Sequence, residues 1–137
     1  MLGKFKNSKK QGNAGIGIAI SWFALNGYTV SIPLTDAQDY DLVVDMCGLK
    51  KVQVKTTTTV NKSGAYQVYL RVAGGNRSGI GKIKNFNNKS VDFVFVVTAE
   101  EIKYLIPSKV IRIKNQLSLN KKMEVYIINN MGMLGSG

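Results

Sequence analysis

Two neighbouring runs decide how this chain reads: Tyr40-Asp41-Leu42-Val43-Val44-Asp45-Met46 and, past a turn at Gly48-Leu49, Lys51-Val52-Gln53-Val54-Lys55-Thr56. The first is almost continuously apolar, as a strand buried on both faces should be. The second alternates, with Val52 and Val54 on one side and Gln53 and Lys55 on the other. Joined by a tight turn, the two predict a β-hairpin. In it Asp41, at the head of the first strand, comes beside the face that carries Gln53 and Lys55. That face then holds a carboxylate, an amide oxygen and an ammonium group.

Upstream, residues 14–26 (Ala-Gly-Ile-Gly-Ile-Ala-Ile-Ser-Trp-Phe-Ala-Leu-Asn) predict a helix closed by Gly27. The helix has almost no polar face and needs cover on more than one side. Residues 1–13 are polar and basic and read as an arm. Residues 28–34 predict a strand. Downstream, strands are expected at 65–72, 91–98, 101–106, 110–114 and 124–128. Residues 73–89 are expected to form a loop with a short helix near 80–86. An early helix followed mostly by strands argues for a mixed α/β (α+β) fold on one central sheet. With 137 residues, no repeat and no internal boundary, 1–137 is read as a single domain.

The composition is ordinary except in charge. Nineteen Lys and Arg against eight Asp and Glu give a formal +11. Such a field favours a polyanion as partner. The absence of histidine excludes Ser-His-Asp and Cys-His nucleophiles and any zinc site with His ligands. The lone cysteine, Cys47, excludes a disulfide framework and is expected to be a small buried residue. The apolar run at 14–25 falls short of the roughly 18 residues that a membrane span needs, so a cytoplasmic protein without membrane contact is expected. Two glycine-rich stretches are decoys. Gly15-Ile-Gly17-Ile-Ala-Ile20 lacks the third glycine of a dinucleotide fingerprint. Asn76-Arg-Ser-Gly-Ile-Gly81-Lys82-Ile83 lacks the first glycine and the hydroxyl of a P-loop. No small-molecule substrate is expected.

Four of the eight acids, Asp36, Asp39, Asp41 and Asp45, fall within ten residues. An acidic island opposes DNA binding unless a divalent cation bridges carboxylate and phosphate. Asp36 and Asp39 also suit turns. Asp41 suits one less well, because it opens an apolar strand. A carboxylate and an amide oxygen can hold Mg²⁺, and a lysine beside them can orient or deprotonate water or stabilise charge on phosphate. A polar outer strand face is the alternative reading of the same spacing.

The pattern Gly27-Tyr28, Pro33-Leu34, Tyr40-Asp41-Leu42-Val43-Val44 and Val52-Gln53-Val54-Lys55-Thr56 resembles the PD-(D/E)XK nuclease superfamily, in particular its branch of group I intron homing endonucleases. The resemblance implies a restriction-endonuclease-like core, a central mixed β-sheet flanked by helices. It implies a metal-dependent, sequence-specific double-strand DNA endonuclease using Mg²⁺ or Mn²⁺. Asp41 matches the metal-binding aspartate and Lys55 the catalytic lysine. Gln53 stands at the Asp/Glu position, and Val54 offers a backbone carbonyl to the metal. The first helix of the superfamily often carries a glutamate. Here its matching position is Ile16, so Asp41 is left as the anionic ligand.

Lys50, Lys51, Arg71, Asn76, Arg77, Lys82 and Lys84 are expected on DNA. Their charges position the protein on phosphates, and Asn76, Arg77 and Gln67 are possible base readers. Tyr66 and Tyr69 are read as sheet packing. Cutting both strands with one site per chain implies a homodimer or homotetramer, with residues 14–26 and 131–134 as interface candidates. Two alternatives stand beside this reading: a Holliday junction resolvase with the same site, and a catalytically impaired DNA-binding protein on the same scaffold.

Overall fold

The computed structural model describes residues 8–74 and 82–128. Helix α1 (Ser8–Leu25) is followed by β1 (Thr29–Ser31), β2 (Leu42–Asp45), β3 (Leu49–Thr57), β4 (Gln67–Tyr69), β5 (Val72–Gly74), β6 (Lys82–Lys84), β7 (Phe93–Thr98), β8 (Lys103–Pro107), β9 (Gln116–Ser118) and β10 (Ile127–Ile128). The central sheet has the order β1-β2-β3-β7-β8-β10. It is mixed: β3 and β7 run parallel, and the remaining pairs are antiparallel. The expected mixed α/β architecture is the one found. Among the described residues a single α-helix covers one face of the sheet, and the small β4-β9 and β5-β6 sheets lie outside it.

Strand β7 explains why the middle of the sheet reads as continuously apolar. Its Phe95 and Val97 join Ala19, Trp22 and Phe23 of α1 with Leu42, Val44 and Val52 in one core. Its Val94 and Val96 join Val68, Leu70, Phe86, Tyr104, Ile106 and Ile111 in a second core on the other face. Both faces of β7 are therefore dry, and no polar alternation survives. Strand β3 takes its sidedness from the same arrangement. Val52 and Val54 pack toward the helix-side core. Gln53 and Lys55, in register with Val94 and Val96, point to the opposite face.

α1 ends as the sequence implies. Gly27 sits at φ +85°, and the Tyr28 N–H reaches back to the Phe23 carbonyl at 3.0 Å, closing the last turn. Its start differs from expectation. The helix begins at Ser8 and takes in residues 8–13 of the predicted basic arm; residues 1–7 lie outside the described residues. Of the three glycines within it, Gly12, Gly15 and Gly17, Gly15 is a contact point. A Cβ on Gly15 would stand 2.3 Å from Thr56 Cγ2. Gly15→Ala should therefore destabilise the fold by about 1–3 kcal/mol through overpacking, despite a helix-propensity gain of about 1 kcal/mol. Gly17, with nothing within 4 Å of an added Cβ, should show only the gain on going to Ala. Urea denaturation of the two variants decides it, and equal stabilities would refute the contact.

Other local readings are corrected by tertiary pairing. Residues 82–84 are not helical: they form β6, paired with β5 in the register Val72↔Lys84. Residues 110–114 are not a strand. Ser108–Val110 is a 3₁₀ turn, and the strand comes later, where β9 pairs with β4. Most of 124–128 is a 3₁₀ turn (Lys121–Tyr126), capped by Asn120, which accepts the Lys122 N–H at 3.1 Å. Cys47 is exposed, not buried. It lies in the β2–β3 connection at φ 56°, beside Gly48 at φ 121°, where a turn directs its side chain outward. Tyr66 packs on the second core as expected, whereas Tyr69 is exposed.

Candidate active site

The predicted hairpin is present. β2 and β3 pair antiparallel with Leu42 opposite Val52. Asp41 stands one residue before β2 and ends the ladder. Its own N–H donates to the Val52 carbonyl at 2.9 Å, and its Oδ2 accepts the Val54 N–H at 2.7 Å. The carboxylate thus occupies the point where a longer β2 would have placed a carbonyl, which fixes it against β3 beside Lys55.

The charges at this point are not comfortable. Burial pushes the Asp41 carboxyl up from its usual range; the Val54 N–H and Lys55 pull the other way without reversing it. Burial pushes the Lys55 ammonium down, and Asp41 opposes that only in part. Each partner is thus shifted toward its neutral form. A structural ion pair would show the opposite tendency, and such perturbed pairs concentrate at functional sites.

Gln53 is 6% exposed, and its Oε1 is buried without a hydrogen-bond partner. It lines a cavity of about 10 Å³ with Asp39, Leu70, Lys84, Asn85, Phe86, Asn87 and Ser90. An orphaned amide oxygen normally costs stability, so its retention points to a ligand at the site. The donor set here, a carboxylate and an amide oxygen, consists of hard oxygens and fits Mg²⁺ or a similar ion. Among the described residues no three His, Cys, Asp or Glu side chains come together as a ready-made metal cluster.

The remaining predicted residues fall in several places. Ile16 is half-buried and packs with the helix-side core, whereas Gln53 and Lys55 project from the other face of the sheet. Gln11, one helical turn before Gly15, accepts the Thr56 hydroxyl at 3.3 Å. Lys50 is half-buried, while Lys51 and Arg71 are exposed. The Lys51 ammonium lies 5.7 Å from the centre of the Tyr40 ring. Lys84 faces Asp39 at 3.5 Å in an exposed ion pair. Lys82 belongs to β6, and Asn76, Arg77 and residues 131–134 lie outside the described residues. Asp45 is the last residue of β2, and its Oδ1 accepts the Gly48 N–H of the following turn at 3.2 Å. Sequence reasoning missed Asp39 as a neighbour of Gln53, and also the amides of Asn85 and Asn87. Their one signal is the run Asn85-Phe-Asn-Asn88.

Comparison with known proteins places the chain in a family. Residues 6–126 match the family model described as PD-(D/E)XK endonuclease. Among solved structures, a bacterial homing endonuclease, I-Ssp6803I, is similar with a TM-score of 0.72 and 27% identity, over 88% of this chain and 88% of that one. No curated protein matches significantly. A family model spanning nearly the whole chain settles the affiliation: the chain belongs to the PD-(D/E)XK endonuclease family.

Proposed function

We propose that this endonuclease is a Mg²⁺- or Mn²⁺-dependent, sequence-specific double-strand DNA nuclease, formed by one domain over residues 1–137 and acting as a homodimer or homotetramer. The observation that carries the reading is the buried, unpartnered Oε1 of Gln53 next to the Asp41–Lys55 pair. Asp41, Gln53 and the Val54 carbonyl would hold the ion. When bound, it supplies a Lewis acid that activates water and offsets charge on the scissile phosphate. Asp41 stays anchored on the Val54 N–H through Oδ2. Lys55, held below its ordinary range by burial, can take a proton from the attacking water or stabilise the phosphate oxygen that gains charge. Lys50, Lys51, Arg71 and Lys84 are phosphate contacts, and Asn76, Arg77 and Lys82 belong to the same basic stretch. One site per chain requires a second copy to cut both strands. A protein that acts on DNA inside the cell suits a cytoplasmic location, and no described helix is long and apolar enough to cross a membrane.

A second reading, DNA binding without cleavage, is favoured by the missing acid at Ile16 and by the absence of a three-acid cluster among the described residues. Plasmid cleavage separates the two. Mixed-sequence plasmid with candidate target sites should be linearised in Mg²⁺ and left intact in EDTA. Tight binding with no Mg²⁺-dependent cutting on any site would leave only the binder. Preferential cutting of four-way junctions would move the substrate class to branched DNA.

A further inference from the structure

Beside the candidate active site, residues 85–90 meet residues 108–114. The junction is fixed from inside. The Asn88 side-chain amide donates to the Ile111 carbonyl at 2.9 Å, and the Ser108 hydroxyl donates to the Asn88 carbonyl at 2.9 Å. The Phe86 N–H donates to the Lys114 carbonyl at 2.9 Å, and Phe86 and Ile111 are buried beneath. Asn88 is thus a wall between two grooves. The first, of about 340 Å³, is lined by Asn85, Asn87, Arg112 and Lys114. The second, of about 530 Å³, is lined by Lys50, Lys89 and Lys109.

Among the described residues Asp92 is the one acid lining either groove, and its Oδ2 is taken up by the Lys51 N–H at 2.8 Å. Five cations therefore face the two grooves with their main counter-charge already engaged. The ligand chemistry that fits is a row of phosphates. The surface is also continuous with the active site: Asn85, Asn87 and Ser90 of the same loop line the cavity beside Gln53.

We propose that residues 85–90 and 108–114 form a second DNA-contact ridge that holds backbone phosphates on both sides of Asn88. The ridge guides the duplex toward Gln53 and Lys55. This deepens the nuclease reading and rests on it. The wall is preorganised by its hydrogen bonds, so little ordering accompanies binding.

The test is fluorescence anisotropy of a fluorescein-labelled mixed-sequence duplex, titrated at several NaCl concentrations without divalent ions. Three double variants are compared: Arg112→Ala with Lys114→Ala, Lys89→Ala with Lys109→Ala, and, as a control of equal charge lining neither groove, Lys62→Ala with Lys122→Ala. Each groove variant should weaken binding roughly tenfold. The slope of log affinity against log salt should fall by about 2, close to 0.9 per lost phosphate contact. The control should keep the wild-type slope. Equal losses in all three would reduce the effect to net charge and overturn the ridge, as would unchanged slopes in the groove variants. If the wild-type chain bound no duplex at all, the nuclease reading would fall with it. A chain that binds and cuts normally with either groove stripped would sink the ridge alone.

Discussion

Asp41→Asn and Lys55→Met should each lower DNA cleavage by about 10³-fold or more while making the protein more stable. The first half follows from their proposed roles as ion ligand and proton acceptor. The second follows from the sign of the perturbations. The Asp41 carboxyl is raised by burial above its ordinary 3.8. Between that value and the folded one, the native state holds more protons than the unfolded chain. Stability therefore falls as pH rises through that window and stays lower at neutral pH. Lys55 is lowered by burial below its ordinary 10.5. Between its folded value and 10.5 the native state holds fewer protons, so stability rises with pH across that window and is reduced below it.

At neutral pH both charges are thus a net cost to the fold, even after their mutual attraction. Asp41→Asn keeps an oxygen for the Val54 N–H, and Lys55→Met keeps an apolar stem. Urea denaturation at neutral pH should show a higher midpoint for both variants, the pattern of a site held for function against stability. Cleavage by the wild-type chain should fall in acid as Asp41 gains a proton, and should climb with rising pH as Lys55 loses one below its ordinary 10.5. Lower stability together with retained cutting would contradict the assignment of both residues.

How much of this was legible in the sequence depends on the range of the interactions. The β2–β3 hairpin was, because alternation over Val52-Gln53-Val54-Lys55 and the apolar run after Asp41 are local signals that the sheet preserves. The end of α1 was legible at Gly27 for the same reason. Its start was not, because the tolerance for Gly15 comes from Thr56, distant in sequence. Cys47 read as buried because its neighbours are apolar, yet the turn geometry at residues 46–48 turns it outward. The strand at β9 exists because β4 offers it an edge. At the site, the placement of Asp41 beside the β3 face that carries Gln53 and Lys55 was readable from spacing. The burial of Gln53 and the loop of Asn85 and Asn87 against it were not, since both arise when residues 85–90 dock on residues 108–114.

Gln53→Glu probes the site from the opposite direction to the charge-removing variants. It places an acid at the proposed metal position, but one that is 6% exposed and where Oε1 already has no partner. Without a divalent ion the new carboxylate is buried, unpaired and close to Asp41, so the fold should lose about 2–4 kcal/mol. Burial and the neighbouring carboxylate both raise its titration, so the loss should deepen as pH rises through the range in which it ionises. Adding Mg²⁺ or Mn²⁺ should reverse the loss. An ion at 100 times its dissociation constant contributes about 2.7 kcal/mol, and a second anionic ligand brings that concentration down. The melting temperature of the variant should therefore respond to divalent ion far more steeply than that of the wild-type chain, and its advantage should grow with pH. This readout needs no DNA and no cutting, so it separates a ligand position from a merely buried polar one. If Gln53→Glu destabilises the protein equally with and without the ion, Gln53 is a structural amide and the metal must be held elsewhere.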